Sequence, residues 1–132
     1  MGNSPESVAR DFYAAWASPD RDELAGFFAD DAVWVDGAQG EHHGVDDVVS
    51  ELANQLRAVG GVTVDVRTML SDGGTVMVEQ LSHSDIGGTR VSSVVMAVLE
   101  VDAAGKITQF REAYDLQSTL NNMKAAGFSF GR

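Results

Sequence analysis

The hydrophobic pattern changes period at Gly60-Gly61, and that change restricts the chain to one broad architecture. Before it, apolar residues recur at helical spacing. Val8, Phe12 and Trp16 stand four apart, and Val45, Val48, Val49, Leu52 and Leu56 keep a similar rhythm. After it, the pattern turns to strands, in runs bounded by glycine-containing turns. Helices first and an antiparallel meander second define an α+β fold. Its expected form is a curved, mostly antiparallel sheet with helices on one face. The 132 residues suit a single domain spanning 1–132.

Local signals place the elements. Ser4 is the expected cap of a helix starting at Pro5, which Ser18-Pro19-Asp20 ends. Asp20 with Glu23 reads as a capping box for a short helix that turns Leu24, Phe27 and Phe28 inward. A strand over 32–36 follows, and a glycine-rich loop over 37–44 leads to the third helix. Strands are predicted near 62–69, 75–86, 89–101 and 106–114, and a closing helix over 118–126. In the strand over 89–101, Val95, Ala97 and Leu99 form one apolar face and Val94, Met96 and Val98 the other. Helices cover one face of such a sheet. A second copy of the chain is expected on the outer face, giving a homodimer.

Charge and composition exclude several functions. A net charge of -11, with only nine Lys and Arg, speaks against binding nucleic acid or an anionic membrane. The chain has no cysteine, so it forms neither a disulfide framework nor a thiolate metal site. His42 and His43 are adjacent and point apart in extended chain, so no metal site is expected. The glycine-rich loop lacks the Lys-Ser/Thr of a phosphate cradle, and no organic cofactor is expected. His83 is placed at the sheet surface near Glu79 or Asp85. The opening Met1-Gly2-Asn3-Ser4-Pro5-Glu6 carries neither a basic region nor an apolar run, so a cytoplasmic location is expected.

Two acidic positions carry the chemistry. Alternation puts Asp36 on the same strand face as Trp34, and Glu112 on the same face as Phe110 and Tyr114. A carboxylate among aromatics is hard to ionise, which fits it for proton transfer. Two such groups on one cavity separate into an acid and a base. Asp36-Gly37 also reads as a plain turn. Asp65 is the alternative second acid, although an outward strand position explains it as well. Gln80 and Ser82 share a face with Val76 and Val78 and can orient substrate or water. Phe12, Trp16, Trp34, Phe110 and Tyr114 are core aromatics that can double as the wall of a pocket for a hydrophobic small molecule.

The stretch Phe27-Phe28-Ala29-Asp30-Asp31-Ala32-Val33-Trp34-Val35-Asp36, with Arg111-Glu112-Ala113-Tyr114-Asp115-Leu116 near the end, resembles the nuclear transport factor 2-like superfamily. Within it the chain is similar to SnoaL-type and limonene-epoxide-hydrolase-type proteins, from Val8 to about Met123. The epoxide hydrolases use an Asp–Arg–Asp relay with a Tyr and an Asn. Their principal Asp falls on Glu112, their Arg and second Asp on Gln80 and Ser82, and their Tyr and Asn on Trp34 and Asp36. In ketosteroid isomerases the proton-shuttling Asp falls on Asp36, and the oxyanion-hole Tyr and Asp fall on Phe12 and Ala97. The resemblance therefore implies a cone-shaped fold with N-terminal helices enclosing a cavity, and epoxide opening by hydrolysis or cyclisation, keto–enol isomerisation or polyketide cyclisation with Asp36 as base, or non-catalytic ligand binding.

Overall fold

The computed structural model describes residues 4–129; residues 1–3, on which the targeting expectation partly rests, lie outside this range. Ser4 Oγ accepts from Ser7 N at 3.1 Å and starts helix α1 (Pro5–Ala14), with Pro5 in the first turn where no backbone donor is needed. A 3-10 turn over Ala15–Ala17 continues it and carries Trp16 into the core. Asp20 caps α2 (Arg21–Ala25) through Asp22 N at 2.9 Å. Strand β1 (Phe28–Asp36) follows, then a 3-10 turn (Gly37–Gln39), β2 (Glu41–His43) and α3 (Val45–Ala58). The meander is β3 (Thr63–Asp72), β4 (Thr75–Ile86), β5 (Thr89–Val101) and β6 (Ile107–Tyr114), and α4 (Leu116–Ala125) closes the fold.

Two expected boundaries change for the same reason. Strand β1 begins at Phe28, not Ala32, because Phe28 pairs with Ile107 and Phe27 O accepts from Ile107 N at 2.8 Å. The expected loop over 37–44 contains β2, which pairs antiparallel with β1 through Trp34 and His42. Both depend on partners distant in sequence, which local periodicity does not register.

The six strands form one sheet in the order β2-β1-β6-β5-β4-β3. All neighbours are antiparallel except β1 and β6, which run parallel and bring the first strand beside the last. Register shifts at Phe28/Val33, Val66/Thr68 and Glu100/Val101 insert extra residues that bend the strands, so the sheet curves without closing. Phe12 fills the hollow. Its ring centre lies 5.2 Å from Phe110, 5.3 Å from Phe28 and 5.6 Å from Trp16, each edge to face. Such pairs contribute roughly 1 kcal/mol each beyond area burial. The outer face stays apolar in part, with Leu70, Met77, Val94 and Met96 respectively 67%, 56%, 49% and 53% exposed.

Candidate active site

A cavity of about 380 Å³ opens between the inner face of the sheet, α3 and α4. Strand register decides which polar groups meet in it. Asp36 on β1 pairs with Glu112 on β6, and Glu112 pairs in turn with Ala97 on β5. Partners at one register point to the same face, so the two carboxylates stand side by side on neighbouring strands.

Their surroundings differ. Asp36 is only 1% exposed, and its oxygens accept from three side chains. Tyr114 OH donates to Oδ1 at 2.8 Å, Gln55 Nε2 to Oδ2 at 3.0 Å and Gln39 Nε2 to Oδ2 at 3.4 Å. A carboxylate surrounded by donors is suited to carrying charge. Glu112 reaches the cavity surface but is otherwise enclosed by protein, and among the described residues its one side-chain donor is Trp34 Nε1, at 2.9 Å from Oε1. Burial pushes its pKa up to about 8; the Trp34 bond opposes the rise and the charge of Asp36 adds to it. Burial also drives the Tyr114 phenol well above its ordinary range, with the Gln39 bond opposing and Asp36 reinforcing. Glu112 is therefore biased toward its protonated form at neutral pH, beside a carboxylate that accepts from three side chains and keeps room for a further proton donor.

Gly37 makes this geometry possible. Its φ of +46° is the left-handed turn that ends β1, and a Cβ there would lie 2.8 Å from Tyr114 Cε1. The Tyr114 ring thus lies against bare backbone, with its hydroxyl reaching Asp36 and accepting from Gln39 Nε2 at 2.6 Å.

Of the residues singled out from sequence, Asp36, Glu112, Trp34, Tyr114, Trp16 and Ser82 line the cavity. Phe12, Phe110, Ala97 and Gln80 are buried behind it in the core, so they support the wall without forming it. Gln80 acts at one remove: its Nε2 donates to Ser82 Oγ at 2.9 Å. Asp65 faces outward and bonds His83 Nε2 at 3.0 Å. His83 is paired with Asp65 and, through Nδ1 at 2.7 Å, with Ser92, instead of Glu79 or Asp85. Both partners come from the neighbouring strands, Ser92 directly opposite and Asp65 diagonally, whereas Glu79 and Asp85 lie four and two residues away on the strand of His83 itself. The sequence reading missed Gln39, Gln55 and Glu51. Gln55 was the legible one, since it interrupts the apolar stripe of α3 beside Leu52 and Leu56.

In this cone the helices lie over a bent sheet and the carboxylate pair faces the cavity between them. The chain belongs to the SnoaL-like domain family, whose profile matches residues 9–110. Among solved structures it is similar to an epoxide hydrolase of the limonene-epoxide-hydrolase type from M. tuberculosis (25% identity, TM-score 0.77, covering 92% of this chain and 90% of that one). It is similar also to a hypothetical protein from Catenulispora acidiphila DSM 44928 with a ketosteroid isomerase-like fold, in complex with trimethylamine (24%, TM-score 0.78, 91% and 93%). A third is SalBIII, an epoxide hydrolase/cyclase-like enzyme in pyran ring formation in polyether salinomycin (18%, TM-score 0.75, 86% and 92%). The latter two likenesses establish the fold alone. No curated protein matches the sequence.

Proposed function

We propose that this protein is a cofactor-independent enzyme that opens an epoxide on a hydrophobic small molecule, by hydrolysis or by internal cyclisation. One observation carries the reading: two carboxylates share a register on adjacent strands, one protonated to about pH 8 and one held by three donors. Glu112 gives its proton to the epoxide oxygen as the C–O bond breaks. Asp36 takes a proton from the attacking water, or from a hydroxyl of the substrate, as the new C–O bond forms. The product is a vicinal diol or a cyclic ether alcohol, and a proton passing from Asp36 back to Glu112 resets the pair. Trp34 steadies Glu112 before and after transfer, and Tyr114, Gln55 and Gln39 orient Asp36. The likeness to epoxide-opening enzymes supports this assignment of the reaction class.

A second reading follows from the same protonated acid. With Asp36 as base, Glu112 could donate a hydrogen bond to an enolate without giving up its proton, as a ketone isomerase requires. The outer face of the sheet, with its four exposed apolar side chains, supports a homodimer in either case.

The test is diol formation from a panel of hydrophobic epoxides, limonene oxide included. Turnover in the wild type, lost in both Asp36→Asn and Glu112→Gln, is the expected result. Glu112→Gln keeps a hydrogen-bond donor but no transferable proton, so a variant that retains activity on a ketone would move the assignment to isomerisation. Ligand binding with no turnover on either substrate class would make the protein a binder.

A further inference from the structure

Glu51 belongs to no ion pair among the described residues, yet its side chain lines the cavity. It stands on α3 one turn before Gln55 and accepts from Gln55 Nε2 at 3.0 Å. That same nitrogen donates to Asp36 at 3.0 Å, so both N–H groups of the amide are committed. Gln55 thus holds two carboxylates on either side of one amide and can give neither a further bond. Among the described residues no Lys or Arg lines the cavity to offset them. The cavity lining also includes the apolar Leu52, Leu56 and Leu120 and the aromatic Trp16 and Trp34.

A ligand that fills such a cavity displaces the water around Glu51. A wholly apolar ligand would leave the carboxylate with a single donor, an unfavourable burial of charge. A ligand carrying an ammonium group would supply the missing counter-charge. Asp36, already bonded by three side chains, is left to its chemical role.

We infer that the substrate carries a cationic amine, and that Glu51 is the residue that recognises it. This rests on the reading of the cavity as the substrate site, and it narrows the substrate to amine-bearing hydrophobic molecules. An anionic substrate is disfavoured by the same charges.

The protein's two tryptophans, Trp16 and Trp34, both line the cavity, so their fluorescence reports occupancy without any turnover. Benzyltrimethylammonium and its uncharged carbon isostere, neopentylbenzene, are titrated into wild type and Glu51→Gln. Glutamine still accepts from Gln55, and circular dichroism verifies that the variant is folded. The expected result is that wild type binds the cation at least about ten-fold more tightly than the isostere. Glu51→Gln should abolish that preference while binding neopentylbenzene as wild type does. Equal affinities in wild type, or a preference that survives in Glu51→Gln, would overturn the inference. A cation preference together with no diol formation would remove the epoxide reading and leave this one standing.

Discussion

Asp36 and Glu112 differ by one methylene group, yet their neighbours give them unlike surroundings, on which the proposed division into base and acid rests. Three donors converge on Asp36 while one indole N–H serves Glu112, and burial does the rest. Replacing either acid by its amide should lower epoxide opening by roughly 10²–10⁴-fold, read as kcat/KM on a reactive substrate. Because Glu112 must carry the proton, activity should fall as pH rises through about 8, and a pH–rate profile checks the position of that limb. A flat profile from pH 6 to 10 would count against the assignment. Tyr114→Phe removes one donor from Asp36 but keeps the ring, so a loss of roughly ten-fold is expected, near the size of one charge-assisted hydrogen bond. Both acids were legible in the sequence because alternation placed each beside aromatics. Their unequal settings were not, since Gln39, Gln55 and the Tyr114 hydroxyl converge from three different elements.

At the level of elements, the helices and the meander could be read directly, because period and turn residues are local properties. The cap at Ser4 and the stripe of α3 lie where their patterns place them. What could not be read is what partners decide: the early start of β1, the short β2 and the outward pairing of His83 with Asp65. The junction of β1 with its 3-10 turn is the element most tightly bound to function. Gly37→Ala would strain a φ of +46° and drive a methyl group into the Tyr114 ring. The expected outcome is a destabilisation of about 1–3 kcal/mol in urea melts together with lost activity, as Tyr114 is moved off Asp36. A fully active Gly37→Ala would show that Tyr114 contributes little.

Over the whole molecule, Glu112 links stability to pH. Its carboxyl is harder to ionise in the folded protein, near 8, than its ordinary value of 4.5. Below the lower value both states hold the proton and the fold suffers no penalty. As pH rises from there to about 8, the unfolded chain releases the proton first, so stability falls and then levels off. Glu112→Gln should erase that decline, a gain of at most a few kcal/mol at pH 8.5, measured by comparing urea midpoints at pH 5 and 8.5. On the opposite face of the sheet, Met77→Asp with Met96→Glu should convert a dimer to a monomer in light scattering if the exposed patch is the contact between copies. The parallel seam of β1 and β6 has a further consequence, for the order of events during synthesis. The bonds Trp34–Glu112 and Tyr114–Asp36 each close a span of 78 residues, among the most distant contacts the chain makes. Loops that long close slowly, after the local hairpins of the meander have formed. A ribosome-bound chain holding β1 through β5 would therefore have most of its sheet and no acid–base pair. The proposed acid–base pair is complete only when the last strand has emerged and docked.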